Sequence, residues 1–419
     1  MQVVIVVPEP RSCGQRLSDR IARKICGVSL LERTLVTAQR AGATDVLLIW
    51  PQGMPMRRTM AFLDSPRLKK AGRVRLLLAD GFDPNAHSSW AALQDRLEDR
   101  FVWLPWNWVT YPRALAKLPD AGQAFLNWDV PAWISKAAVT ADAFPKSQTG
   151  PAPVPEGVAV TSNQSAKAAE RFLVVHSGKV LDGIHSTFNR RLCRPAVRWL
   201  SHTRVTPNAV TFGGVLVSIL SGIAFARGNY WSYVAGALLC YLAGLFDEMD
   251  GMLARIKFAD SPFGTWFEGF ADGLSYLLLF GGITIGLYRQ HGRYELWVGA
   301  ALLIGTVLSV AITSLGRKLA TSADKPNEYL GKLYQRMEED SSNWISRAAR
   351  QAQAFQKRGV MIIYVVIFTV LGGLPVLFYL ATLGSHLTWT LSLYFSHRFF
   401  KQSTPRIPLQ GIQTTQEAS

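Results

Sequence analysis

Beyond about residue 208 the chain carries a succession of apolar runs: Ala209 to Ala226, Tyr230 to Phe246, Phe263 to Tyr288, Leu296 to Leu315, Gly359 to Phe378 and Tyr379 to Phe395. Each is near the roughly 20 residues that a helix needs to cross a bilayer. Backbone in lipid must satisfy its own hydrogen bonds, so runs of this length predict six transmembrane helices. The first part of the chain has no such run and reads as a mixed soluble domain, and 419 residues are enough for two or more cores.

The 45 Lys and Arg against 29 Asp and Glu, a net charge of +16, suit nucleic acid, an anionic membrane surface or negatively charged substrates. The basic residues crowd the ends of the apolar runs and do not alternate with aromatics as on a single-strand-binding surface. Membrane is therefore the economical reading, and no nucleic-acid partner is expected. Six spans put both termini on one side. The basic segments Arg190 to Arg204, Arg255 to Lys257, Arg317 to Arg358 and Arg398 to Arg406 fall together there, while the opposite loops hold only Arg227, Arg289 and Arg293. By the positive-inside bias that side is the cytoplasm, which predicts a multi-pass protein of the inner (cytoplasmic) membrane with both termini facing inward. Cys13, Cys26, Cys193 and Cys240 lack C-x-x-C spacing and suggest neither a zinc site nor a disulfide framework.

Residues 1–180 alternate β-rich runs (Val3 to Val7, Asp45 to Ile49, Arg73 to Leu78, Phe101 to Leu104) with helical stretches such as Ser29 to Ala41, a pattern that predicts an α/β domain with a parallel sheet. The apolar N-terminus, Met1 to Pro8, is too short for a signal sequence and reads as a buried strand. A Pro- and Ala-rich stretch, Phe144 to Val154, precedes a helical segment, Gln164 to Arg171. Residues 181–206 intersperse Arg190, Arg191, Arg194, Arg198 and Arg204 among Phe188, Leu192, Val197, Trp199 and Leu200, as a helix lying on a membrane surface does. The helical membrane domain spans 207–400, and a basic tail, 401–419, is expected to be disordered. The 317–358 connection, with Glu338, Glu339 and Asp340, carries no assigned chemistry.

Asp247 and Asp250 are three apart where the second run ends, and Glu268 and Asp272 are four apart where the third begins. Each pair shares one face of a helix. Four carboxylates brought together resist ionisation unless cations neutralise them, and oxygen-only ligands suit Mg²⁺, Mn²⁺ or Ca²⁺. Taken alone, Asp247 reads as a solvated helix end, or as part of a salt-bridged face with Arg255 and Lys257. Glu268 and Asp272 do not, because ionisable groups at the edge of an apolar run are expensive. Glu248 and Asp260 lie off the shared stripe. Gly251 suits either close approach of a ligand or helix packing, and Arg255 suits a phosphate.

The pattern Asp247-x2-Asp250-Gly251-x2-Ala254-Arg255-x8-Gly264-x3-Glu268-x3-Asp272 resembles the signature of the CDP-alcohol phosphotransferase family, which has Asp at all four acidic positions; Pro207-Asn208-x2-Thr211 resembles the element that opens the family's first helix. The likeness covers about residues 180–395. It implies a six-helix membrane fold, commonly a homodimer, that transfers a substituted phosphate from a CDP-linked donor to an alcohol and releases CMP. By the same likeness Asp247, Asp250, Glu268 and Asp272 hold the metal, two ions of Mg²⁺ or Mn²⁺, with Asp272 also the general base. Asn208, Thr211, Gly251, Ala254, Arg255 and Ser261 line the nucleotide and its diphosphate. Glu268 departs from the family's Asp, which leaves room for a non-catalytic membrane scaffold that binds CDP or metal and recruits a partner. A proton-relay transporter is the last alternative.

The N-terminal segment Gly27-Val28-Ser29-Leu30-Leu31-Glu32-Arg33-Thr34, followed by Ala41-Gly42-Ala43, resembles sugar-nucleotide or inositol-phosphate nucleotidyltransferases. Such a fusion, with its join Leu181 to Ser186 and Asn189-Arg190, is similar to bifunctional enzymes that make CDP-inositol and form di-inositol phosphate from it. The parts that perform nucleotidyl transfer are missing. Pro8-Glu9-Pro10-Arg11-Ser12-Cys13 stands where a Gly-rich phosphate loop is expected, Arg20-Ile21 stands for a Lys-Pro pair, and Phe101 to Asn107 supplies no metal-binding Asp. The resemblance implies a degenerate nucleotidyltransferase-like domain retained for scaffolding or regulation.

Overall fold

The computed structural model describes residues 1–9, 17–52, 63–68, 73–118, 128–140, 156–178, 184–320, 335–336, 338–340, 343–347 and 358–400. The Phe144 to Val154 stretch, most of the Pro8 to Cys13 segment, the start of the join at Leu181 and the 401–419 tail lie outside them. Contacts divide the chain into two units, Met1–Val210 with Glu248–Gly264, and Thr211–Asp247 with Thr265–Ser419.

The first unit is built on a sheet of β1 (Gln2–Val6), β2 (Asp45–Trp50), β3 (Arg73–Leu78), β4 (Arg100–Trp103) and β5 (Ala132–Ser135), in the order β3-β2-β1-β4-β5. All neighbours are parallel except β5, which runs antiparallel to β4. Val3 is opposite Val46 on one side and Val102 on the other, and all five residues of the central β1 are buried. An apolar run buried on both faces is what a parallel sheet with covering layers demands. One face packs Val4, Val6, Leu47 and Ile49 against Trp90, Phe101 and Trp103. At the edge, β3 carries Arg73 and Arg75, charges that disfavour pairing with another chain.

Helix α1 (Leu30–Arg40) follows a tight hairpin, Lys24–Ile25 with Val28–Ser29, whose turn residues Cys26 and Gly27 both have positive φ. Gly27 is required there twice over: its φ is +80°, and a Cβ would stand 2.6 Å from the Ser201 carbonyl oxygen. Helix α2 (Asn163–Val175) starts at a capping box in which Ser162 and Ser165 satisfy each other's backbone amides. Helix α3 (Ile184–Ser201) buries Asn189, Cys193 and Val197 and leaves Phe188, Leu192 and Trp199 exposed on its other side.

The remaining helices are α4 (Pro207–Ala226), α5 (Tyr230–Lys257), α6 (Pro262–His291), α7 (Tyr294–Ala320), α8 (Arg358–Val370) and α9 (Leu374–Phe400). In the second unit Phe225, Tyr233, Leu279, Ile283, Leu302, Val365 and Phe378 form one core. Backbones meet where α4 passes α6: a Cβ on Gly222 would lie 2.7 Å from the Leu278 carbonyl oxygen, and one on Gly282 would collide with the Gly222 carbonyl oxygen. Close approach through paired glycines is how membrane helices gain packing that lipid cannot supply.

Among the described residues four helices are long and apolar enough to cross a membrane: Pro207–Ala226, Pro262–His291, Tyr294–Leu315 and Leu374–Phe395. Helix α5 is longer than its apolar run and continues through the acidic motif to Lys257. The expected fifth and sixth spans are cut elsewhere. Helix α8 ends at Val370, and the break falls at Leu371-Gly372-Gly373, not after Phe378. Gly372 has φ +74°, and the Gly373 amide donates back to the Phe368 carbonyl at 2.7 Å. That is a glycine helix stop, and Pro375 then fits the first turn of α9.

Candidate functional site

Helices α5 and α6 carry the acidic motif. Asp247 and Asp250 lie within continuous α5 and Glu268 and Asp272 within continuous α6, so each expected pair does share a helix face. Asp250 is only 3% exposed, while Asp247, Glu268 and Asp272 are half-buried. Buried carboxylates and oxygen-only donors fit a hard divalent cation in their chemistry. Among the described residues no group of three or more His, Cys, Asp or Glu stands together closely enough to hold a metal ion.

Around the nucleotide-side residues the local geometry is specific. Ser261 precedes α6 and its hydroxyl accepts the Gly264 amide at 3.0 Å, an N-terminal cap. A Cβ on Gly264 would stand 3.1 Å from the Ser261 hydroxyl and 3.2 Å from Asn208 Oδ1. Asn208 and Ser261, 53 positions apart in the chain by their numbers, are thus brought together at a glycine where an added side chain would crowd both. Gly251 plays a similar part for Arg255, whose Nη1 lies 3.1 Å from where a Cβ would be. The Arg255 Nε donates to the Ser177 carbonyl. Thr211 lies half-buried in the first turns of α4.

The off-stripe acids pair with arginines distant in sequence. Glu248 accepts from Arg190 Nε at 3.5 Å, and Asp260 pairs with Arg40. Among the described residues Lys257 pairs with no acid: its ammonium donates to the carbonyls of Leu200, Thr203 and Val205 at 2.9–3.0 Å, capping the end of α3.

Sequence reasoning missed what closes α5. Phe258 has φ +53°, and the Ala259 amide donates to the Ala254 carbonyl at 2.9 Å, the six-to-one bond of a Schellman stop. A bulky residue in the left-handed region costs of order 1–3 kcal/mol. Three arginines of the N-terminal region hold it there. Arg33 Nη2 donates to the Ile256 carbonyl at 2.9 Å and to the Ile25 carbonyl at 2.7 Å; Arg67 Nε donates to the Lys257 carbonyl at 3.0 Å; Arg40 Nη2 donates to the Phe258 carbonyl at 3.1 Å. The guanidinium groups of Arg33 and Arg40 also lie 5.0 and 4.9 Å from the Phe258 ring centroid, and Val28 and Val36 pack on the ring. Arg33 is 1% exposed, and burial pushes its guanidinium below its ordinary pKa. Arg33 was visible in the sequence only as part of a nucleotidyltransferase-like run, and no local signal links it to residue 256.

Within the same N-terminal region, Phe101 and Val102 are fully buried and Trp103 stacks edge-on with Trp128. Aromatic packing thus fills this strand end.

Residues 204–394 match the CDP-alcohol phosphatidyltransferase family. Every motif residue from Asn208 to Asp272 lies inside that match. Among individual proteins, the chain is 30% identical over 109 residues to cholinephosphotransferase 1 of Gallus gallus, covering 24% of this chain and 32% of that protein. It is 30% identical over 105 residues to the CDP-diacylglycerol–glycerol-3-phosphate 3-phosphatidyltransferase of Pseudomonas fluorescens, covering 25% and 52%. The bifunctional IPC transferase and DIPP synthase of Aquifex aeolicus aligns over 237 residues at 23% identity, 56% of this chain and 49% of that protein. The chain thus spans about a third to a half of the length of these curated relatives. The third alignment is longer than the family match, so it takes in residues outside 204–394.

Proposed function

We propose that this chain is an integral membrane CDP-alcohol phosphotransferase of phospholipid or polar-lipid synthesis, moving a phosphatidyl or phospho-alcohol group from a CDP-linked donor to an alcohol with release of CMP. The observation that carries the reading is that the full set of motif positions, with one Asp replaced by Glu, falls inside the matched region and on two helices. Six spans, with α5 and the α8 segment added to the four apolar helices, keep both termini on the basic cytoplasmic side of the inner membrane. The exposed Phe188, Leu192 and Trp199 of α3 suit a helix lying in the membrane surface. A homodimer follows by analogy with the family.

In this reading Asn208, Thr211, Gly251, Ala254, Arg255 and Ser261 receive the nucleotide and its diphosphate, and Arg255 supplies a fixed positive charge to a phosphoryl oxygen. Asp272 takes the proton of the attacking hydroxyl. Asp247, Asp250, Glu268 and Asp272 would hold Mg²⁺ or Mn²⁺, which when bound neutralises charge on the diphosphate. A donor of the CDP-diacylglycerol kind pairs with a small alcohol or alcohol phosphate, and a CDP-linked head group pairs with a lipid or polyol acceptor. The N-terminal domain is a nucleotidyltransferase relative without that chemistry, as its aromatic strand end supports.

Purified protein in detergent, given CDP-diacylglycerol or CDP-inositol with candidate alcohols, is expected to release CMP only with Mg²⁺ or Mn²⁺, and Asp272→Asn is expected to abolish the release. No CMP from any donor would sink the enzyme reading in favour of a scaffold that binds CDP without turnover.

A further inference from the structure

We propose that the N-terminal α/β domain is a positioning clamp for the transferase motif: Arg33, Arg40 and Arg67 hold the carbonyl end of α5 and its strained Phe258 stop, and thereby set where Arg255 and Ser261 stand.

The last carbonyls of a helix have no partner within it, and they sit at the negative end of its dipole. At many helix ends a glycine in the left-handed conformation and water meet both needs. Here α5 ends on a phenylalanine, 6% exposed, and successive carbonyls of Ile256, Lys257 and Phe258 accept from three different arginines. All three donors come from residues 33–67, far from α5 in the chain. Arg33 reaches both ways, since the same Nη2 serves the Ile25 carbonyl in the hairpin and the Ile256 carbonyl in α5. Arg67 is itself oriented by Glu32, whose Oε1 lies 2.8 Å from Arg67 Nη1 and also accepts the Ser65 hydroxyl at 2.5 Å. On the far side of the stop, Asp260 pairs with Arg40, one residue before Ser261.

The consequence for the motif is geometric. Arg255 lies three residues before Phe258 and Ser261 three after it, so the stop sets the angle between the helix that carries one and the turn that carries the other. Without the clamp, a bulky residue at φ +53° has no reason to stay there, and the 258–261 turn would relax toward extended or right-handed backbone. An α/β domain that has lost the residues for nucleotidyl transfer keeps, in its Gly27 to Thr34 segment, Gly27 against the Ser201 carbonyl that ends α3 and Arg33 gripping α5 at the Ile256 carbonyl. These arginines are positioning residues, acting through backbone; none is placed on the donor.

This inference rests on the transferase reading for its effect on donor binding, but its structural half is separable. The test uses full-length protein in detergent and the variants Arg40→Gln, Arg67→Gln and their double, whose side chains are 22% and 33% exposed and so spare the buried core. Arg33→Met is the stronger, riskier variant, and Arg75→Gln, at the edge strand, is the control. Two quantities are read: amide hydrogen exchange across residues 256–264, and KM and kcat for CMP release from the CDP-linked donor. The clamp predicts faster exchange in 256–264 in the double variant, no change with Arg75→Gln, and a KM raised about tenfold or more with kcat less affected, as misplaced binding groups give. Arg67→Lys, which keeps a donor for the Lys257 carbonyl, should restore most of the KM. Unchanged exchange in the double variant overturns the clamp. Faster exchange with unchanged KM overturns its role in donor binding. If the wild-type chain releases no CMP, the transferase reading has failed, and the exchange measurement still decides whether the arginines hold the stop.

Discussion

Arg33 and Ile256 stand 223 positions apart in the chain and are joined by a 2.9 Å hydrogen bond from guanidinium to carbonyl. Among the described residues no carboxylate forms an ion pair with Arg33: its Nε and Nη1 are buried without a hydrogen-bond partner, and the guanidinium faces the Phe258 ring. A buried charge kept at such cost is held for the geometry it imposes.

Truncating it should therefore be severe. Arg33→Ala removes the donor to both Ile25 and Ile256 carbonyls and leaves a void, a loss of about 3–5 kcal/mol. Arg33→Met fills the volume and buries no charge, so it should lose clearly less. Denaturant unfolding followed by tryptophan fluorescence distinguishes them; equal losses for the two variants would mean that the hydrogen bonds, not the space, carry the whole effect.

Adjacent glycines of α6 should behave oppositely. A Cβ on Gly282 collides with the Gly222 carbonyl of α4, whereas one on Gly281 meets nothing within 4 Å. Gly282→Ala must push two backbones apart and should lower the melting temperature in detergent. Gly281→Ala should leave it unchanged or raise it, because alanine gains up to about 1 kcal/mol of helix propensity over glycine. A matching drop in both variants would contradict the crossing.

Much of this was legible in the sequence, and the failures have a common cause. The strands Asp45–Trp50 and Arg73–Leu78 and the helix Leu30–Arg40 lie within a residue or so of their expected limits, because periodicity and composition are local signals. The motif's placement on α5 and α6 followed from spacing for the same reason. The boundary between α8 and α9 was misplaced because an unbroken apolar run hid the punctuation of Gly372, Gly373 and Pro375. The groups that meet Glu248, Asp260 and Lys257 left no mark near them in sequence, because Arg190, Arg40 and the carbonyls ending α3 come from elsewhere in the chain. Phe258 carried no warning at all, since only tertiary contacts make its backbone tenable.

The acidic cluster of the 317–358 connection, given no chemistry from sequence, contributes a structural ion pair. Asp340 accepts from Arg398 through Nε at 3.1 Å and Nη2 at 3.0 Å, and from the Ser346 hydroxyl at 2.9 Å. Those hydrogen bonds, from Arg398 first and then Ser346, hold its carboxyl below the ordinary carboxylate value. A depressed pKa in the folded state means stabilisation present in full above the unfolded value, near 4, and lost as pH falls through the folded value beneath it. The melting-temperature gap between wild type and Asp340→Asn should stay constant from pH 8 to about 5 and close below about pH 4. A gap that widens on acidification would have the wrong sign for this pair.

Glu268 gives the last prediction, and it bears on whether the site is tuned or fading. Every other position of the motif keeps its residue type, and Gly251 and Gly264 stand where an added Cβ would crowd Arg255 in the one case and Asn208 and Ser261 in the other. A decaying site loses such constraints as readily as it loses an acid. The longer glutamate is therefore expected to suit this chain's own helix spacing, because Mg²⁺ demands near-ideal oxygen geometry and tolerates a displaced ligand badly. Glu268→Asp should lower metal-dependent CMP release by roughly tenfold or more, with a raised Mg²⁺ requirement, and Glu268→Gln should lower it further. Titrating Mg²⁺ against CMP release in the three proteins measures this. A gain in turnover from Glu268→Asp would reverse the conclusion, marking the extra methylene as damage to a site whose geometry still calls for aspartate.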